Sequence, residues 1–330
     1  MTDALVRDDT FAQDLLTWRR DGAVVLDRFF SAAEITPVRD DCDTLFAAKR
    51  RDEGALIKTP DGGVGVFDPA QFRNQESLPF AASTAINLIG LNPRLIAFAK
   101  EALGVDDVRL YQCDAWAKFT GEADYDQPFH CDFKNHTLTV PGDNAFDRTI
   151  NFMIYVTDVT EDLGAIRYVP NPEATEIVGP LRPVLPEETD GAEGLTREAI
   201  SFSQTHATGF AHPKQMALKA VERSGAAPAG SIFAYGIDVY HRGANLTRPG
   251  GWRYTITASF KAAGNDQIGW MAWPFHFLKP WKKVIYTASP EQLACLGIPR
   301  PGDPFWTENT LALTQMRWPG WDMSAYRAAM

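Results

Sequence analysis

His130-Cys131-Asp132 is the one place in the chain where a histidine is followed two residues later by an acid. In an extended segment, residues i and i+2 point to the same face. A nitrogen and an oxygen can then be offered to one ion. Six histidines (His130, His136, His206, His212, His241 and His276) and 42 acidic residues supply about one such pair by chance, so the pair needs context. The context is a second segment, Gly230 to Asn245, which reads as a strand running through a glycine and ending at His241 before a turn. Twelve residues beyond His241, Arg253 opens a strand pattern. Its even positions are apolar (Tyr254, Ile256, Ala258, Phe260) and its odd positions polar (Arg253, Thr255, Thr257, Ser259). That polar face is either solvated or lines a wet pocket. Two histidines and a carboxylate on a β scaffold form the ligand set of non-haem Fe(II) oxygenases. Three protein ligands leave three positions open, two for a 2-oxo acid and one for O2. A fixed guanidinium would grip the far carboxylate of such an acid bidentately.

The elements that must hold these residues are legible as changes of period. Phe11 to Arg20 reads as a helix, and Ala23 to Leu26 as a short strand. Ser31-Ala-Ala-Glu34 is a capping box, with Ile35, Val38 and Leu45 on one helical face. Residues 51–80, rich in Gly, Pro, Asp and Gln, read as a loop. Asn92-Pro93 opens a helix whose stripe is Leu95, Phe98, Ala99, Ala102 and Leu103, and Gly104 closes it. From residue 107 the pattern alternates. Strands are expected at Val108–Phe119, Thr149–Val156, Ala165–Val169, Ser231–Tyr235 and Arg253–Phe260. Residues 171–229 read as a long polar, Pro-rich insertion with one helix near 214–223. Together with residues 51–80 it is the candidate water-excluding lid. After Lys261 the chain becomes aromatic and Pro-rich, with six of its nine Trp. This tail could line a pocket, cap the barrel or form a dimer face.

Composition narrows the function classes. The chain has 330 residues, is 45% hydrophobic and carries a net charge of −10. That length suffices for a substantial core. The acidic field disfavours nucleic acid and anionic membranes, and there is no run of five basic residues. No apolar stretch approaches the roughly 20 residues that span a bilayer. The N-terminal residues lack the apolar stretch of a secretory signal. Four well-separated cysteines (Cys42, Cys113, Cys131, Cys295), with no CxxC pair, suit free thiols in a reducing cytoplasm.

Several segments in order resemble the phytanoyl-CoA hydroxylase-like family of Fe(II)/2-oxoglutarate-dependent dioxygenases. They are the start DLLTWRRDGAVVLDRFFSAAEI, then PFHCD, then TDVTEDLGAIRYVPNP, and finally FAYGIDVYHRGANLTRPGGWRYTITASF. The resemblance implies that His130, Asp132 and His241 bind Fe(II) and that Arg253 anchors 2-oxoglutarate. It also implies that Lys118, upstream of the His-x-Asp segment, contacts the cosubstrate. Thr255, on the polar face with Arg253, is a further candidate for that contact. Where the family commonly has Gln between His and Asp, this chain has Cys131, and Pro170-Asn171-Pro172-Glu173 replaces a "PGSH" ending. The spacing from His241 leaves Arg248 as a rival anchor; Arg253 is preferred because a strand fixes its direction. The implied fold is mainly β with flanking helices, a double-stranded β-helix (jelly-roll, cupin-like) core. We expect one domain over 1–330, with a helix-rich buttress at 1–105, the core at 106–261 and an extension at 262–330. The implied reaction is hydroxylation of a small organic molecule, with O2 consumed and succinate and CO2 released. The competing reading is a cupin-like protein that holds Zn or Ni, or senses a ligand, without O2.

The remaining candidates have plainer accounts. His136, Asn135 and Trp116 flank the metal segment and could face substrate, but a structural role leads for each. His206 and His212 fall in the insertion, and His276 lies among Trp273, Phe275, Phe277 and Trp281. Cys131 is expected to be inert core, and Tyr235 to be packing.

Overall fold

The computed structural model describes residues 11–47, 74–120, 126–136, 144–179, 213–269 and 280–330. Among these the alternating segments become strands β1 (Ala23–Leu26), β2 (Gln75–Ser77), β3 (Val108–Phe119), β4 (Thr149–Tyr155), β5 (Arg167–Val169), β6 (Arg223–Ser224), β7 (Ile232–Tyr235), β8 (Tyr240–Arg242) and β9 (Trp252–Ala262). The larger sheet runs β1-β7-β4-β9-β3-β2 and the smaller β6-β5-β8. Every pairing is antiparallel. The helices are α1 (Ala12–Asp21), α2 (Ala32–Leu45), α3 (Thr84–Ile89), α4 (Pro93–Leu103), α5 (Phe133–His136), α6 (Asn171–Val178), α7 (Pro213–Ala220), α8 (Lys282–Ile285), α9 (Pro290–Cys295), α10 (Glu308–Arg317) and α11 (Ser324–Ala328).

Period-2 alternation divides the larger sheet into two unlike faces. Ile150, Phe152 and Ile154 of β4 and Tyr254, Ile256, Ala258 and Phe260 of β9 join the main core with α1, α2 and α4. The opposite face carries Arg253, Thr255, Thr257 and Ser259, all buried, and looks toward the smaller sheet. That answers the question left by the sequence: the polar face of β9 lines the interior. Two sheets enclosing a polar interior, with helices outside the larger one, are the jelly-roll core that the resemblance implied.

The helical buttress forms for the reasons read from its caps. Ser31 N donates to Glu34 Oε2 at 2.8 Å and Ser31 Oγ accepts from Glu34 N at 3.4 Å, so both halves of the capping box are made. Asn92 caps α4 through Arg94 N at 3.0 Å, and Gly104 ends it in the left-handed region at φ 64°. The α4 stripe is buried, and Phe98 meets Phe152 edge-on with ring centroids 5.8 Å apart.

Three expectations need correction. Most of 51–80 lies outside the described residues, but Gln75–Ser77 is a strand paired with β3. Its three residues are too few to show a period. The start of the segment at 171–229 is helix α6, opened by Asn171-Pro172 because Pro at the first turn forfeits no hydrogen bond. The helix expected near 214–223 is α7, Pro213–Ala220. Finally, β3 does not alternate without interruption. Its register shifts between Leu110 and Gln112, so Tyr111 leaves the main core and joins a second apolar cluster with Phe129, Cys131 and Phe133.

The aromatic tail packs outside the helical layer. Trp306, Trp321, Met323, Tyr326 and Leu293 form their own cluster. Lys100–Glu291 at 2.5 Å and Arg300–Asp107 at 2.8 Å tie it to α4 and the start of β3. His206, His212, Trp270, Trp273, Phe275, His276 and Phe277 lie outside the described residues.

Candidate metal and cosubstrate site

His130 closes a short extended segment, and His241 sits at the centre of β8. The two residues exchange both backbone hydrogen bonds, His130 N to His241 O at 2.9 Å and His241 N to His130 O at 3.0 Å. Such a reciprocal pair places both side chains on one face. The segment leading to His130 is anchored by an unexpected residue. Gln215 of α7, fully buried, accepts from Phe129 N and donates to Phe129 O, each at 2.9 Å. Its side-chain amide thus replaces a neighbouring strand. After His130 the chain turns, with Phe133 N bonded to Ile237 O at 3.0 Å, and Asp132 comes back toward the two imidazoles.

Ligand atoms of His130, Asp132 and His241 all lie within 4.8 Å of one another. His241 Nε2 is 3.4 Å from Asp132 Oδ2, and His130 Nε2 is 3.8 Å from Oδ1. The Nδ1 atoms are otherwise engaged: His130 Nδ1 is 3.0 Å from Pro128 O and His241 Nδ1 is 3.0 Å from Val239 O. A carbonyl only accepts, so each Nδ1 carries the proton and each Nε2 keeps a lone pair for a metal. Burial, then the neighbouring His241, pushes the His130 pKa down to about 4, so the ring is neutral. Burial works against ionised Asp132, but His241, His130 and His136 and the Tyr235 hydroxyl outweigh it and hold the carboxyl below its ordinary value. Two imidazoles and a carboxylate converging on one point fit a divalent ion of borderline softness. The side chains are 29% exposed at His130 and 7% at His241, so the site opens to solvent on the His130 side.

Arg253 is buried, and its Nε has no hydrogen-bond partner. Among the described residues no carboxylate pairs with it. Burial lowers its pKa from that of a free guanidinium, and the nearby Tyr155 only partly offsets this. A buried cation without an anion is costly, and it fits a site made for a carboxylate ligand. Arg248, the rival, is taken up at the surface by Asp162 at 2.8 and 2.9 Å. Lys118 stands directly opposite Arg253 across β3 and β9, and its charge also disfavours protonation of His130. Thr255 is buried one step further along the same face, opposite Trp116 and Tyr155.

Cys131 is buried with Sγ directed at Asp238 O, 3.3 Å away, in keeping with an inert thiol. His136 is bound to Tyr111, with Nδ1 2.6 Å from the phenol oxygen. The side chain of Asn135 lies outside the described residues. Tyr235, read as packing, does more: its hydroxyl is 3.3 Å from Asp132 Oδ2. Burial and the Asp132 charge hold it protonated well above the ordinary tyrosine range. No local pattern marks it, because Tyr in a buried strand is common. The polar Thr149 and Asn151, facing away from Ile150 and Phe152, were the readable sign that β4 also borders a polar interior.

The sequence model of the phytanoyl-CoA dioxygenase (PhyH) family matches residues 18–250. Arg253 lies three residues beyond that span. No curated protein matches the chain. Among solved structures, the non-haem alpha-ketoglutarate-dependent epimerase SnoN from nogalamycin biosynthesis is similar at 16% identity, covering 77% of this chain and 83% of its own, with a TM-score of 0.50. HygX from Streptomyces hygroscopicus, solved with nickel and 2-oxoglutarate bound, is similar at 15% identity over 77% of this chain and 87% of its own, also with a TM-score of 0.50. At such identities the likeness speaks for the fold. With the family match covering most of its length, the chain belongs to the phytanoyl-CoA dioxygenase (PhyH) family and is an Fe(II)- and 2-oxoglutarate-dependent, O2-consuming oxygenase-type enzyme.

Proposed function

We propose that the chain hydroxylates a small organic molecule, with His130, Asp132 and His241 as iron ligands and Arg253 as the anchor for 2-oxoglutarate. The observation that carries this reading is the convergence of two Nε2 atoms and one carboxylate in the interior that also holds the unpaired Arg253. When bound, the iron and cosubstrate would supply the oxidation: one oxygen atom of O2 would enter succinate as 2-oxoglutarate loses CO2, and the other would be inserted into a substrate C–H bond as hydroxyl. The chain's own residues bind and orient. Pro128 O and Val239 O fix the imidazole tautomers, and Arg253, with Lys118 and Thr255 beside it, receives the distal carboxylate. The burial of His241, Arg253 and Thr255 limits water around the cosubstrate. Asp132 supports hydroxylation because a carboxylate occupies the third protein position. Net charge −10 favours a small-molecule substrate over nucleic acid, and no helix among the described residues is long and apolar enough to cross a membrane. Four buried free cysteines suit a reducing cytoplasm. We take the whole chain as one domain, since the tail packs on α4 and β3.

The test is anaerobic addition of 2-oxoglutarate to Fe(II)-loaded protein. Bidentate chelation gives a weak metal-to-ligand charge-transfer band in the visible. We expect it in the wild type and not in His130→Ala. A wild-type protein that binds Fe(II) with no band would remove the cosubstrate reading. A substrate screen by succinate release then follows, with product mass gaining one oxygen if the outcome is hydroxylation.

A further inference from the structure

Asp132 stands edge-on to the two imidazoles: Oδ1 is near His130 Nε2 and Oδ2 near His241 Nε2. Both oxygens are therefore within reach of a shared ion, and nothing in the ligand set itself decides between one-oxygen and two-oxygen binding. The difference matters. In a six-coordinate site, two imidazoles plus a two-oxygen carboxylate and a chelating 2-oxo acid would leave no position for O2. A one-oxygen carboxylate would keep one position free.

The phenol of Tyr235 distinguishes the two oxygens. A carboxylate only accepts, so Tyr235 Oη donates to Oδ2 at 3.3 Å. The ring is held in place, stacked on Phe233 with centroids 5.1 Å apart and tilted on His241 at 5.0 Å. Asn151 lies directly opposite Tyr235 in the sheet, and its Nδ2 has no hydrogen-bond partner among the described residues. The Asn151 Oδ1 accepts from Tyr111 Oη at 3.3 Å, and Tyr111 in turn meets His136 Nδ1 at 2.6 Å. Ser259 faces Asn151 from β9, and Gln112 faces Ser259 from β3, with Oγ to Oε1 at 3.4 Å. A row of neutral polar side chains thus crosses β3, β9, β4 and β7 and ends on one oxygen of Asp132.

We propose that Tyr235 is a positioning residue: with its ring held against Phe233 and His241, its hydroxyl holds Asp132 Oδ2 so that the carboxylate would meet the metal through Oδ1 alone, which would keep a coordination position for O2. The proposal rests on His130, Asp132 and His241 being the iron ligands. The test is Co(II) titration of the metal-free protein, wild type against Tyr235→Phe, followed by d–d absorption. Outer hydrogen bonds to ligating groups are typically worth about 10- to 100-fold in metal affinity, and we expect a loss in that range. We also expect a changed d–d spectrum, because the freed carboxylate rotates to two-oxygen binding. That spectral change is a readout which lost packing alone would not give. Wild-type affinity and an unchanged spectrum in a folded Tyr235→Phe protein would overturn the proposal. If that variant does not fold, Phe233→Leu, which leaves the Tyr235 hydroxyl in place but removes the ring stacked on it, should shift the spectrum the same way to a smaller extent. A Phe233→Leu spectrum identical to wild type would then overturn it. If the wild type itself binds no Co(II), the ligand assignment fails and the proposal with it. Failure confined to the variants leaves the ligand assignment standing.

Discussion

Arg253 brings a full positive charge into the interior with its Nε unbonded, and this makes it the most testable side chain of the cosubstrate site. Truncating one partner of a buried, hydrogen-bonded charge pair costs about 2–5 kcal/mol, or roughly thirty-fold to several-thousand-fold in Kd. Arg253→Ala should weaken 2-oxoglutarate binding by that amount in an anaerobic titration, while Fe(II) binding persists. Arg253→Lys should recover only part, because an ammonium cannot make the paired contact. Arg248→Ala should leave the titration unchanged, since its partner is Asp162 at the surface. At this scale the sequence was informative where chemistry has a spacing. His130 and Asp132 stood two apart, and Arg253 marked a strand start; the segment read as one strand ending at His241 is instead two strands in different sheets, β7 and β8, with His241 at the centre of β8. Tyr235 had no such mark. Its role arises because β7 and the turn after His130 meet in space, a contact between residues 103 apart in the chain.

Element by element, the strands and the capped helices were legible because period and cap chemistry are local. The exceptions have local causes too. Strand β2 is too short to show alternation, and the irregularity at Tyr111 hides a face change inside an apparently regular strand. The pairing of Gln215 with Phe129 was beyond reach, since a polar residue in an amphipathic helix reads as surface. Strand β7, which carries Tyr235, depends on Gly230 at its entrance. That residue has φ 87°, and an added Cβ would lie 2.3 Å from Phe30 O. Phe30 N also donates to Gly230 O at 2.8 Å, so the two chains cannot separate cheaply. Gly230→Ala should therefore destabilise the protein by about 1–3 kcal/mol, read as a lower urea midpoint at unchanged slope.

At the scale of the whole molecule, the buried cation of Lys261 responds to pH. Lys261 is fully buried, with Nζ donating to Asn265 O at 2.7 Å and Ile268 O at 2.9 Å, and burial pushes its pKa down to about 8. In the unfolded chain it titrates near 10.5. Between these values the unfolded state binds more protons, so this residue makes stability rise with pH from about 8 to about 10.5. The buried thiols of Cys42, Cys113 and Cys295, whose pKa values burial raises, work in the opposite direction. The Lys261 contribution is thus the difference between wild type and Lys261→Met. That difference should move in favour of the wild type over this window, and a flat difference would contradict the assignment. The reciprocal backbone pair between His130 and His241 has a consequence for how the molecule breathes. Both imidazoles hang from a single rung, so widening the barrel at that edge also draws the ligands apart. Local opening and metal loss are then the same motion, and a bound ion acts as a clasp on the barrel wall. Hydrogen exchange at the amides of His130 and His241 should slow on metal loading far more than exchange in the distant Trp306–Tyr326 cluster, and chelation should restore it.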